Sequence, residues 1–287
     1  MVRIFGWKSV PGQDAYKRFF SKFSQAINQK VFGYFYDWFF SQLRFDNYTL
    51  DFDSSVLTRY GKQQGARKGY NPRKPGRASH HPLLAFVADC NMVANLWLRS
   101  GDSHTTNNFK GFLEDTLTHP GNKTPSLLRL DSGFYDKALL EYLEKRHLNY
   151  IVALPFYEPI QHILASCSCW FALSQGVEVA QTYYQSPQWD QSRRMIMTRQ
   201  QVELRPQATG KQLKLFREEG IYKQYRYTCF ITNLKFSPAE VWRLYRHRAE
   251  AEKRIKELKY DFGFASFNMH QFLPPRQLAI LSCLPVI

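Results

Sequence analysis

Apolar positions along the chain repeat first with a helical period. Over residues 14–45 (DAYKRFFSKFSQAINQKVFGYFYDWFFSQLRF) aromatic side chains recur at helical spacing, which predicts two short helices. From Tyr48 to Val56 the period shortens to two. Tyr48, Leu50 and Phe52 alternate with Thr49, Asp51 and Asp53, a strand with both aspartates on the face opposite the apolar residues. Two further strand-like runs, LLAFVADC (83–90) and MVANLWLRS (92–100), are close enough to form a hairpin. Helical spacing returns over Asn107–Leu117. SLLRL (126–130) then reads as a short strand ending in Asp131, with a turn at Asp131-Ser132-Gly133. The helix DKALLEYLEKR (136–146) and the buried strand YIVAL (150–154) complete a strand–helix–strand unit. Its acid stands at the carboxyl end of the first strand, where open α/β sheets bind their ligands. Residues 156–228 carry short alternating or β-branched runs and predict a β-rich insertion, closed by a strong strand around Tyr227–Thr232.

After the insertion, Ser237-Pro238-Ala239-Glu240 has the pattern of a capped helix start, and Asp261-Phe262-Gly263 that of a stop. At roughly 100° per residue, Val241, Leu244, Ala251, Ile255 and Leu258 share one arc, the expected buried stripe. Tyr245, Arg248, Glu252 and Lys259 share a second arc that overlaps the edge of the first. A solvated helix with an ordinary Glu252–Arg248 or Glu252–Lys256 pair gives the same composition. The reading of Glu252 therefore depends on acids elsewhere in the chain.

Net charge changes the picture next. With a formal charge of +15 and a pI near 9.6, the favoured partner is an anionic polymer, nucleic acid above all. The Gly/Pro-rich stretch RYGKQQGARKGYNPRKPGR (59–77) holds seven Lys and Arg and no acid, with Arg67, Lys68, Arg73 and Lys74 as candidate phosphate contacts. Five scattered cysteines with one close pair, Cys167 and Cys169, suit a reducing compartment and no zinc site. There is no apolar run of transmembrane length and no signal peptide, so the cytoplasm is the expected location. P-loop and dinucleotide glycine patterns are absent, and His80-His81 lacks the spacing of a metal-ligand array.

Asp53, Asp131 and Glu252 each fall at an element edge suited to a shared site, with Asp51 a rival to Asp53. Three carboxylates brought together repel and need a compensating charge. Two Mg²⁺ (or Mn²⁺) ions supply it, activating a water and holding the leaving oxygen of a phosphodiester. Arg248 and Lys259 would then bind DNA phosphates, and Tyr245 would donate a hydrogen bond to a phosphate or stack on a base.

These residues carry a family resemblance. LDFDSSVLTRYG (50–61), LLRLDSGFYD (127–136) and the Tyr245, Arg248, Glu252, Lys259 series resemble the DDE transposases of the IS4 superfamily, closest to the IS1380 group. The likeness extends through KGYNPRKPGR and LRSGDSHTTNNF, from about Phe19 to about His270. It implies an RNase H-like α/β fold: a mixed sheet flanked by helices, with the β-rich insertion before the glutamate-bearing helix. It implies Asp53, Asp131 and Glu252 as the catalytic, metal-holding acids, and hydrolysis at transposon ends followed by strand transfer. A homodimer on DNA in a bacterial, nucleoid-associated setting is also implied. Trp170 and Trp189 are candidates to stack on an extruded base.

The expected division is a helical segment at 1–45, short for the family, then the first part of the core at 46–155. The insertion at 156–228, the last strand and catalytic helix at 229–264, and a divergent tail at 265–287 follow. Within that tail FNMHQF (267–272) fits the family, whereas LPPRQLAILSCLPVI (273–287) places two prolines where a helix should start. The expectation is a truncated or frameshifted copy, and its alternative function is a remnant that binds DNA without cutting it.

Overall fold

The computed structural model describes residues 9, 12–22, 25–90, 92–201, 225–261 and 263–266. Two helices, α1 (Gln13–Ser21) and α2 (Gln25–Gln42), precede the first strand, β1 (Asn47–Ser54). The end of α2 is tied down by the Lys123 ammonium, which donates to the Leu43 and Phe45 carbonyls at 2.9 Å each.

The main sheet has nine strands in the order β6-β5-β1-β7-β8-β12-β11-β10-β9. The hairpin of β5 (Leu83–Val87) and β6 (Met92–Trp97) lies antiparallel beside β1. On the other side of β1, β7 (Thr124–Leu130) runs parallel to it, and β8 (Tyr150–Ala153) runs parallel to β7. Helix α3 (Phe109–Thr118) bridges the antiparallel half to β7, and α4 (Lys137–Lys145), capped by the Asp136 side chain, makes the β7–β8 crossover. Three antiparallel strands followed by two parallel ones is the RNase H-like core that the resemblance implies. Between β1 and β5 a small antiparallel sheet forms from β2 (Leu57–Thr58), β4 (Ala78–His80) and β3 (Arg67–Lys68).

The region read as a β-rich insertion opens with a helix, α5 (Glu158–Ser166). Pro159 in its first turn and Ile160 and Leu164 at one-turn spacing account for it: the proline is tolerated there and the two apolar side chains are buried together. The strands that follow, β9 (Phe171–Ser174), β10 (Val177–Tyr184), β11 (Arg193–Gln201) and β12 (Tyr225–Thr232), extend the same sheet through the β12–β8 pairing. Glu144 of α4 locks this extension to the core, accepting bonds from Arg193 at 2.7 and 2.8 Å and from the Tyr150 hydroxyl at 2.7 Å.

The charged helix expected over 238–261 is two helices, α6 (Pro238–Arg246) and α7 (Ala249–Tyr260). The break has a visible cause. The Leu244 carbonyl, which an unbroken helix would bond to the Arg248 amide, accepts instead from the Arg129 guanidinium at 2.5 Å. The Arg248 amide turns to Tyr245, three residues back, at 2.9 Å. The predicted apolar stripe therefore divides: Val241 packs with Leu127, Ile151 and Phe230, while Ala251, Ile255 and Leu258 join the larger core around β1 and β7.

Asp51 is part of the same device. Both its oxygens accept from Arg129, at 2.5 and 2.7 Å, and both side chains are buried. It is thereby committed to structure and leaves Asp53 as the acid of β1 available to a shared site. Asp51→Ala would strand a buried guanidinium, so we expect a loss of about 3–5 kcal/mol in denaturant unfolding. Adding Arg129→Met to that variant should recover part of the loss; an unchanged unfolding midpoint in Asp51→Ala would contradict this role.

Candidate active site

The register of β1 against β7 pairs Asp51 with Arg129, and continuing it by two residues sets Asp53 level with Asp131. Two acids distant in sequence thus meet at the carboxyl ends of adjacent parallel strands. Asp131 is held by the turn that follows it, its Oδ1 accepting from the Gly133 amide at 2.8 Å. A Cβ on Gly133 would lie 3.1 Å from that oxygen and 3.4 Å from the Thr105 hydroxyl, so glycine allows the tight turn. Buried Phe134 anchors the turn on Phe109, which packs edge-on to Phe52 of β1.

Arg248 enters from the break between α6 and α7. One of its terminal nitrogens stands 3.4 Å from Asp53 and 3.7 Å from Asp131, and donates to the Phe52 carbonyl at 2.9 Å. The guanidinium is buried. Burial works against its charge, but the flanking carboxylates outweigh this and hold it protonated. Burial pushes Asp53 up to about 6; Arg248 opposes that rise, while Asp131 and Glu252 add to it.

Tyr245 also faces inward. Its hydroxyl donates to the Leu130 carbonyl at 3.3 Å and its ring packs on Phe230 at 4.3 Å. Burial raises it to about 12. The sequence reading aimed Tyr245 and Arg248 at DNA; the structure turns both toward the strand ends, because the helix break brings them over β1 and β7. Lys259 lies further along α7, donating to the Val56 carbonyl at 3.3 Å. Burial first, then Arg73, lowers it to about 8. Glu252 is exposed and lines an opening of about 170 Å³ together with Asp53, Arg73 and Lys259.

The basic loop is uneven. Arg67 is exposed but paired with Asp102 at 3.2 Å. Lys68 and Lys74 are exposed. Arg73 alone among these four lines the openings beside both Asp53 and Asp131. It is set there by buried Asn71, whose side chain donates to Thr58 and accepts from the Lys74 amide. Trp170 is covered by Arg199 and Tyr227, and Trp189 is buried against Tyr184 and Arg193. His80 and His81 are buried, with ring nitrogens bonded to the Gln64 and Ser103 carbonyls. The described cysteines are free. The tail at 267–287, Cys283 within it, and residues 202–224 of the insertion lie outside the described residues.

Sequence reasoning gave no role to Tyr70, Thr105 or Arg99. Tyr70 and Thr105 line the opening beside Asp131, and Arg99 fixes its wall by donating to the His81, His104, Thr105 and Asn107 carbonyls. The available signal was that KGYNPRKPGR and LRSGDSHTTNNF carry family likeness without containing an expected acid.

The acids suit a divalent cation in kind, since hard carboxylate oxygens are what Mg²⁺ prefers. Arg248 shows that a positive charge belongs between Asp53 and Asp131. Among the described residues, no three His, Cys, Asp or Glu side chains stand close enough together to form a ready metal site.

A mixed sheet of this order, with carboxylates at the ends of its adjacent parallel strands, defines an RNase H-like α/β domain with an acidic site. The family model for the transposase DDE domain group 1 matches residues 7–284, and the chain belongs to that family. The match continues past His270 through most of the segment that reads as out of pattern. No curated protein matches the chain. Among solved structures it is similar to the piggyBac transposase synaptic complex with hairpin DNA, at 11% identity and a TM-score of 0.49. That likeness covers 82% of this chain, which spans about 45% of the other. No helix among the described residues is long and apolar enough to cross a membrane.

The raised Asp53 carboxyl has a measurable consequence. Its folded pKa, about 6, lies above the ordinary 3.8, so the folded state binds its proton more tightly than the unfolded one. The corresponding stability is fully present below about pH 4 and lost as pH rises through 6. A rise of this size corresponds to about 3 kcal/mol. Unfolding free energies between pH 4 and pH 7 should therefore fall more steeply for the native chain than for Asp53→Asn. Parallel curves would show that burial does not tune this group.

Proposed function

We propose that this chain is a DNA transposase of the IS4 superfamily, within the IS1380 group, that cleaves phosphodiesters at transposon ends and transfers the freed strand. The observation that carries the reading is the buried Arg248 held between Asp53 and Asp131 at the ends of β1 and β7. Such a site gathers negative charge where a phosphate must approach, and the fold supplies a cation to keep it assembled.

Asp53, Asp131 and Glu252 would hold two Mg²⁺ or Mn²⁺ ions. When bound, divalent cations supply a polarised water and charge compensation at the phosphate. The chain's own groups do the positioning. Tyr245 fixes the Leu130 carbonyl beside Asp131, and Arg248 fixes the Phe52 carbonyl beside Asp53. Lys259 and Arg73, at the mouth, hold the DNA backbone, while Lys68 and Lys74 add exposed charge along the approach. A homodimer assembled on two DNA ends completes the proposal.

A second reading, DNA binding without cleavage, is favoured by the absence of a converged trio of acids among the described residues. One experiment separates the two: nicking, with Mg²⁺ or Mn²⁺, of DNA spanning both flanks of the gene, where a transposase's terminal repeats would lie. Asp131→Ala and Glu252→Ala should each lower the rate on the order of 10²–10³-fold, with circular dichroism unchanged. Equal rates in native and substituted protein would refute the catalytic assignment.

Lys259 gives an independent check. Its ammonium, lowered to about 8, is charged at pH 7 and largely neutral at pH 9. The logarithmic salt slope of DNA binding should shrink by about 0.9 over that range, the share of one phosphate contact. Lys259→Arg should hold its slope constant; a native slope that does not change with pH would remove Lys259 from the contact set.

A further inference from the structure

His80 and His81 are neighbours in the chain, and the fold uses them differently. His80 commits both ring nitrogens to the interior: Nδ1 accepts from the Arg59 guanidinium at 3.1 Å, and Nε2 donates to the Gln64 carbonyl at 3.0 Å. His81 commits one. Its Nδ1 stands 2.8 Å from the Ser103 carbonyl, which can only accept, so Nδ1 carries the proton and Nε2 keeps a lone pair. Among the described residues nothing donates to that nitrogen. His81 is 6% exposed, yet it lines the cavity beside Asp131, which measures about 620 Å³.

The ring is held from its backbone outward. The His81 amide donates to the Arg99 carbonyl at 3.0 Å, and the Arg99 side chain donates to the His81 carbonyl at 3.0 Å. The same guanidinium holds the His104 and Asn107 carbonyls at 2.9 and 2.7 Å, so the ring and the loop carrying Ser103 share one anchor. Burial lowers the affinity of the ring for a second proton; the Arg99 and His104 charges add to this, against the Ser103 bond and Asp131. At neutral pH the imidazole is a neutral acceptor.

A buried neutral acceptor does not serve a phosphate. Phosphate oxygens only accept, and Arg73 and Lys259 in the same lining meet that need. Nε2 calls for a donor. The backbone of a DNA strand offers none along its length and one at its 3′ terminus, the hydroxyl. A strand end therefore presents both groups that the cavity matches: a phosphate for the two cations and a hydroxyl for His81.

We propose that His81 Nε2 accepts a hydrogen bond from the terminal 3′-hydroxyl of a DNA strand, making the cavity beside Asp131 a seat for a strand end. The hydroxyl is thereby oriented beside Asp131, and an end that lacks it binds more weakly. This rests on the transposase reading, in which the freed strand is transferred, and adds the residue that positions its terminal hydroxyl.

The test is fluorescence anisotropy without divalent metal, using short DNA stem–loops labelled in the loop and ending in either a 3′-hydroxyl or a 3′-hydrogen. The native chain should bind the hydroxyl form about three- to tenfold more tightly, the net worth of one hydrogen bond. His81→Asn keeps an amide donor near Nδ1 for Ser103 and removes Nε2, so it should bring the two affinities within twofold while the melting temperature holds. His81→Gln reaches the Nε2 position but gives up the Ser103 bond, so it should retain part of the preference at a lower melting temperature. Equal binding of both forms by the native chain, or a preference that survives in folded His81→Asn, would overturn the assignment. Failure of the transposase reading looks different: Asp131→Ala would leave metal-dependent nicking unchanged, whereas the 3′-hydroxyl preference is read without metal and without cleavage.

Discussion

Setting a buried carboxylate, Asp53, beside a half-buried one, Asp131, is the constraint around which this molecule is arranged. Asp53 and Asp131 are brought level by strand pairing, and without compensation their repulsion would oppose the pairing itself. Arg248 resolves the conflict, its guanidinium within 4 Å of both acids and bonded to the backbone of β1. The compensation is incomplete, since Asp53 keeps a raised affinity for its proton. A site balanced in this way retains an appetite for positive charge, which is the property a phosphoryl-transfer centre uses to draw in metal cations.

Getting Arg248 into that position depends on a second buried pair one turn away. Asp51 orients Arg129, and Arg129 takes the Leu244 carbonyl out of the helical ladder. The helix breaks there, and its two halves pack on different clusters. A continuous helix could not set Tyr245 against the Leu130 carbonyl, Arg248 against Phe52 and Lys259 against Val56 while also satisfying both cores. The structural acid of β1 therefore assembles the site that the other acid of β1 occupies.

This division explains what the sequence showed and what it hid. Alternation in LDFDSS and the apolar run in SLLRL were enough to place Asp53 and Asp131 at strand ends, because period and turn residues are local properties. The wheel put Tyr245, Arg248, Glu252 and Lys259 on one arc of a single helix, whereas the chain forms two helices here, with Arg248 at the break between them. Nothing local could reveal that Arg129, more than a hundred residues away, would compete for the Leu244 carbonyl. The choice between Asp51 and Asp53 was undecidable for the same reason, since both share a face and only the partner strand's Arg129 tells them apart. Tyr70 was equally silent: its exposure and its place at the cavity rim follow from Gly69 and Gly101 bringing two loops together.

The net charge of +15 also takes on a different meaning. Arg59, Arg99, Arg129, Arg193 and Arg248 are all buried, where they bond carbonyls or carboxylates and hold loops and strand ends together. Arg67, though exposed, is paired with Asp102. Each cation–carboxylate pair already cancels within the +15, and a buried guanidinium cannot touch a phosphate, so direct contacts with a polyanion fall to the exposed cations. Attraction is set instead by position. Lys68, Lys74 and Lys256 are exposed, while Arg73 and Lys259 converge on the two openings beside the acids. On the proposed function, a phosphate held at that convergence would lie beside Asp53 and Asp131, where proximity to the acids matters more than overall affinity.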